Sequence, residues 1–400
     1  MASIVVIAVA VLAGLFMAWA LGASSNSPPF APAVGANALP TMRAALFIGI
    51  FAGLGAIAQG GSISETVGTG LIDGVAITPL AAAAGLLTAA AFIVLGVITG
   101  YPIPAAFAVT GAMVGSGLAL GGDPAYATYR AIASFWAAVP VVSGSIAYGT
   151  ATLLRREEVP ETVGVPLLGG LVGAIVANVR LAFVPAPTGQ GTLAGFVTRA
   201  VGVEGPTLLA GYGTTGAVVS LALGVVTFLG LRRQMQRSVA TGIRRFLVGL
   251  GALVAFSSGG SQVGLATGPL ETLFRTELGL PDIALLLLGG TGILLGAWMG
   301  SPRLLQAVAR EYSSLGVRRS IAALVPGFAI AQAAIALGIP ISFNNIIISS
   351  VIGSGLVEGS AGVSGRKIGL TVAAWLSTLV AAGAVGYGLY TALAMVPGAA

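Results

Sequence analysis

The sequence predicts an all-α integral membrane protein with about 12 membrane segments, some of them broken or re-entrant, arranged as two inverted-topology repeats. Three observations predict it. Only 8% of the 400 residues are charged, against about 25% in an average soluble domain. Hydrophobic residues make up 56% and the mean hydropathy is +1.00. A proline-isoleucine pair and a Gly-Ser-Gly-Leu tetrapeptide recur at one fixed offset.

Composition also excludes chemistry. Cysteine and histidine are both absent, which removes disulfides, thiolate sites, the commonest general base and the commonest metal ligand. The net charge of +6 comes from arginines and one lysine lying between apolar runs. Topology explains that placement, so no nucleic-acid partner is expected.

The segments follow in order. A spanning helix needs about 17–25 uncharged residues. Runs 4–22, 44–59, 77–99, 131–154, 164–184, 207–231, 283–300, 320–338 and 368–393 meet or approach this. Three more, 103–121, 246–275 and 339–357, are apolar but interrupted, and 23–43 is broken enough to be re-entrant. Ile4 to Leu21 has no basic residues before it and reads as a retained first helix. Arginines cluster in 232–245 and 301–319, at Arg155 and Arg156, and beside Lys367. Placing these in the cytoplasm puts 60–76 and 276–282, with their acidic residues, outside, together with both termini. A multi-pass protein of the cell membrane is expected, in contact with lipid and able to form a homo-oligomer.

Tyr101 to Gly122 resembles Ile339 to Ser360. Pro102-Ile103 recurs as Pro340-Ile341 and Gly115-Ser116-Gly117-Leu118 as Gly353-Ser354-Gly355-Leu356, both 238 positions later. Arg43 to Gln59 pairs more loosely with the helix beginning at Asp282. The charge pattern sends equivalent segments in opposite directions, which predicts inverted repeats over 1–154 and 243–400, joined by connecting helices and a basic loop over 155–242.

In such folds the substrate sits where helices break. Four breaks are expected: Ser27 to Thr41, Phe256 to Pro269, and the two at Pro102 and Pro340. Helix N-termini there offer free N–H groups and a positive dipole end, and neutral polar side chains add donors. The candidates for binding a small anion are Asn37, Thr41, Ser116, Ser257, Ser258, Ser261, Gln262, Ser342, Asn344, Asn345 and Ser354. Ser116 and Ser354 have a plain alternative, close helix packing.

At these breaks the chain resembles the inorganic phosphate transporter (PiT, Pho4-like) family of anion permeases. Gly259 to Pro269 is similar to that family's G-x-N-D-V-x-N-A-x-G-P signature in the second half, and Gly35-Ala36-Asn37-Ala38 to that of the first. Ile339 to Ser342 and Tyr101 to Pro104 are similar to its two hairpins. The resemblance implies a secondary transporter of a small inorganic oxyanion, phosphate by family, working by alternating access. It also implies Asp and Asn residues that bind phosphate and coupling Na⁺. Here those positions are Ser261 and Gln262. In the first half two registers through Asn37 are open, and both lose the Asp. A hard-cation site without carboxylates lacks its charged ligands. No cofactor is expected, and Na⁺ or H⁺ coupling stays open. Glu271 is the candidate for a replacement coupling-ion site; otherwise it is a solvated interfacial acid. A site without a carboxylate suits sulfate at least as well as protonated phosphate. A sulfate permease, a channel and a non-transporting relative therefore remain alternatives. An enzyme is not expected, because no acid–base or nucleophilic constellation is present.

Overall fold

A computed structural model describes residues 3–60, 62–101, 103–186, 191–202, 207–208, 212–311, 316–359 and 363–397. Pro102, the first of the two expected hairpin prolines, lies outside the described residues.

The helices are α1 (Ile4–Ala23), α2 (Ala31–Gly35), α3 (Thr41–Gln59), α4 (Ser62–Thr69), α5 (Pro79–Thr99), α6 (Ala105–Ala119), α7 (Tyr126–Arg155), α8 (Glu161–Val176), α9 (Leu193–Val201), α10 (Thr214–Arg237), α11 (Val239–Thr267), α12 (Asp282–Glu311), α13 (Val317–Ala336), α14 (Phe343–Gly355) and α15 (Gly365–Ala394). A 3₁₀ turn (Pro28–Phe30) leads into α2 and another (Gly268–Leu270) follows α11. Two short antiparallel pairings, β1 (Ile72–Asp73) with β2 (Asp123–Pro124) and β3 (Thr207–Leu208) with β4 (Tyr212–Gly213), close loops. Among the described residues, nine helical stretches are long and apolar enough to cross a membrane, and α6, α8 and the helix from Phe343 to Glu358 are shorter apolar helices. The chain is a multi-pass membrane protein.

Local chemistry sets the helix ends. In α5 the Thr78 side chain accepts from the Ala81 N–H, Pro79 opens the first turn, and Gly100 closes it at φ 75°. Leucines and valines of α1, α7, α10 and α15 cover the periphery with exposed apolar surface, including Leu12, Val141, Leu221 and Val380. α5 and α13 lie mostly inside. Such a peripheral surface suits lipid, and in lipid tight backbone packing replaces the hydrophobic drive between helices.

Two expectations are corrected. The basic segment 232–245 is not a loop: α10 and α11 run through it with only Ser238 between them, and the Ser238 hydroxyl caps α11 by accepting from Thr241 N–H. The expected break over Phe256 to Pro269 is absent as far as Thr267. Gly259 and Gly260 stay helical because they serve close approach. A Cβ on Gly259 would collide with the carbonyl of Ala52, and one on Gly260 would strike Gln59.

The packing repeats itself. α6 lies on α15 as α14 lies on α7, and α1 lies on α12 as α11 lies on α3. The correspondence reaches single residues. Gly22 meets Ile293 and Gly296 meets Trp19; Gly259 meets Ala52 and Gly55 meets Phe256. The first pair of contacts maps onto the second by an offset of 237 between α1 and α11 and of 241 between α3 and α12. Gly115 against Gly383 and Gly353 against Gly144 form a third matched pair. In each of these six contacts a Cβ would overlap backbone of the facing helix.

Candidate functional site

The centre of the molecule is polar. Ser24, Ser25, Asn26 and Ser27, in the turn that ends α1, are fully buried. So are Ser258 and Gln262 on α11, with Ser261 1% exposed beside them, and Asn344 and Asn345 in the first turn of α14, after Ser342 at 1%. Hydrogen bonds join these three stretches. The Ser258 hydroxyl donates to Asn26 Oδ1. The Gln262 amide donates to the Ile341 carbonyl at 2.8 Å. The Asn344 amide donates to the Ile103 carbonyl at 2.7 Å and lies 3.4 Å from Ser24 Oγ.

Helix ends face this cluster. Ser342 is the N-cap of α14 in extended conformation, and the first intrahelical acceptor there is its carbonyl, reached by Asn345 and Ile346 N–H. The N–H groups of Phe343 and Asn344 precede it. In α6 the corresponding acceptor is Pro104, reached by Phe107 and Ala108. Trp136 of α7 braces both entrances: its indole donates to the Pro340 carbonyl at 2.9 Å and its ring stacks on Phe107 at 3.8 Å. Two grooves, one along α7, α14 and α15 and one along α6, α7 and α15, are apolar.

The cluster holds a concentration of buried polar atoms without hydrogen-bond partners: Ser25 Oγ, Ser261 Oγ, Gln262 Oε1, Ser342 Oγ, Asn344 Oδ1, and both amide atoms of Asn345. Each such atom costs about 1–3 kcal/mol when nothing satisfies it, so a group of them calls for polar partners. All these side chains are uncharged. The arrangement provides donors, fixed neutral acceptors and two helix N-termini, the elements of an oxyanion site.

Hydrogen bonds link the stretches that carry Ser258, Gln262 and Asn344, with Ser261, Ser342 and Asn345 buried next to them in the chain; the other expected residues make different contacts. Ser257, one residue from Ser258, turns toward α13: its hydroxyl donates to the Leu253 carbonyl and accepts from Gln332, which in turn accepts from Gln59. Asn37 is exposed at φ 54°, a left-handed turn position after α2, and Thr41 opens α3 only half-buried. Ser116 and Ser354 each donate to their own helix, to Met113 and Val351 three residues back, the arrangement expected for close helix packing. Glu271 pairs with Arg275 at 3.0 Å, and Arg275 also forms a two-pronged bond with Asp282.

Sequence reasoning missed Ser24, Ser25 and Asn26. The signal was the 237 offset itself: Gly22, Ser24, Ser25 and Pro32 stand to the first half as Gly259, Ser261, Gln262 and Pro269 stand to the second. The first-half signature therefore spans Gly22 to Pro32, replacing both registers through Asn37, and its acidic position is Ser25.

The chain is similar to known proteins along nearly its whole length. The phosphate transporter family matches residues 21–386. A candidate phosphate permease of Pyrococcus furiosus is 26% identical over 98% of this chain and 97% of its own length. The chloroplastic inorganic phosphate transporter 2-1 of Arabidopsis thaliana is 24% identical over 92% of this chain and 69% of its own. A solved structure of a sodium-dependent phosphate transporter superposes with a TM-score of 0.81 at 24% identity, covering 98% of this chain and 100% of the other, and so shares the fold.

Proposed function

The chain belongs to the phosphate transporter family, and from that premise we propose that it carries inorganic phosphate across a membrane as a secondary transporter. The observation that carries this reading is the buried cluster of unpartnered neutral polar atoms at the N-terminus of α14, packed against α11 and the end of α1. The matched contacts of α1, α3, α6 and α7 with α11, α12, α14 and α15 support two inverted repeats, about 1–154 and 243–400, with α8 to α10 as connecting helices. Rocking of one repeat against the other around the central cluster is the motion we propose for alternating access. The charge pattern supports cell-membrane insertion with both termini outside.

Sodium coupling is a property of the structural relative by its name. In this chain the cluster supplies neutral oxygens only, and among the described residues no three Asp, Glu, His or Cys side chains come together. A hard cation bound there would lack the charged ligands it favours. We therefore propose phosphate movement with weak or no dependence on Na⁺.

Uptake of radiolabelled phosphate into proteoliposomes containing the full chain tests the reading. Saturable uptake above protein-free vesicles is the expected result. Its absence, in vesicles shown to hold folded protein, refutes transport and leaves a binding role.

A further inference from the structure

We infer that Gln262 and Asn344 select the protonated form of a tetrahedral oxyanion by holding bare amide oxygens toward its O–H groups. The inference rests on the transport reading and adds which residues decide the substrate.

The orientation of both amides is fixed by chemistry. Gln262 Nε2 lies 2.8 Å from the Ile341 carbonyl and Asn344 Nδ2 lies 2.7 Å from the Ile103 carbonyl. A backbone carbonyl only accepts, so a flipped amide would set two acceptors against each other. The NH₂ ends are thus spent on the backbone. Gln262 Oε1 and Asn344 Oδ1 are left as acceptors, buried and without a donor. The group that satisfies them must bring hydrogens.

Sulfate at neutral pH brings none and would place ionised oxygens against bare carbonyl oxygens. Phosphate with one or two O–H groups supplies the missing donors. Its ionised oxygens can accept from Asn345 Nδ2, from the hydroxyls of Ser25, Ser261 and Ser342, and from the opening N–H groups of α14. Neutral amides accept these hydrogens without the repulsion a carboxylate would exert on an anion. The loss of the acidic positions at Ser25 and Gln262 therefore does not by itself favour sulfate. The selectivity is one-sided: the 238 offset sets Pro104, Ala106 and Phe107 against Ser342, Asn344 and Asn345, so only the hairpin of the second half carries it. One anion site is expected, not two.

The test uses the full chain in proteoliposomes, with labelled phosphate uptake competed by unlabelled arsenate or sulfate in large excess. Arsenate, which keeps O–H groups near neutral pH, should abolish uptake, and sulfate should leave it unchanged. The KM for total phosphate should rise about tenfold as pH climbs through the second ionisation of phosphate, because the dihydrogen form satisfies both acceptors and the monohydrogen form only one. Gln262→Met, which keeps length but removes both the acceptor and the amide's bond to the Ile341 carbonyl, should raise KM and admit sulfate as a competitor, and the sulfate competition is the readout that loss of the backbone bond alone would not give. If that variant does not fold, competition on the unmodified chain decides alone. Equal competition by sulfate and arsenate, or a KM flat across this pH range, overturns the selection while leaving phosphate transport standing. The absence of saturable uptake of any anion overturns both.

Discussion

The side-chain amide of Asn344 donates to the backbone carbonyl of Ile103 at 2.7 Å, which ties the first turn of α14 to the chain two residues ahead of α6. Two short helices from opposite halves of the sequence thus start beside one another. Each then leans on a long helix of the other half, α6 on α15 and α14 on α7. Any movement of one half against the other changes the surroundings of this link.

Asn345 gives the sharpest separation of function from stability. Neither of its amide atoms has a partner, and the residue is fully buried. Replacing an unsatisfied polar group by an apolar one of similar size costs no hydrogen bond and can stabilise. Asn345→Leu should leave the melting temperature in detergent unchanged or higher while phosphate uptake falls at least about tenfold, the loss expected for one hydrogen bond to a charged ligand. Uptake equal to that of the unmodified protein would remove Asn345 from the site.

The glycine contacts should behave as matched pairs. Gly115→Ala presses a methyl into the backbone of Gly383, and Gly353→Ala does the same to Gly144. Each should destabilise by about 1–3 kcal/mol through overpacking, seen as a lower melting temperature. Gly388→Ala has open space around it and should have no such effect.

Much of this was legible in the sequence. The segments were, because bilayer thickness sets helix length. The hairpin at Pro340 and the stretch from Ser258 to Gln262 were, because polar residues inside apolar runs stand out. Ser24 to Asn26 were not, because serine next to prolines reads as an ordinary helix end. Gly259-Gly260 was misread as a break because composition does not distinguish a glycine that frees the backbone from one that lets another helix approach. Only the facing backbone of Ala52 separates the two.

The residues left outside the cluster carry the opposite expectation. Ser116→Ala and Ser354→Ala remove only a bond within their own helices. Asn37→Gly suits a left-handed turn at φ 54°. Each should keep phosphate uptake within about twofold, as neutral substitutions do. A large loss in any of them would extend the site beyond the present cluster.

Replacing Na⁺ by K⁺ in the uptake buffer should change the initial rate by less than about twofold, since the cluster offers a cation no charged ligand. Glu271→Gln should behave likewise, because that carboxylate balances Arg275. Collapse of uptake without Na⁺, or on loss of Glu271, would place a coupling site in this chain after all.

The central claim, that substrate sits among α1, α11 and α14, is tested most directly by locating arsenate through its anomalous scattering in crystals of the full chain. The account predicts one peak within hydrogen-bonding reach of Gln262, Asn344 and Asn345. A peak elsewhere in the membrane region, with none at these residues, would contradict it.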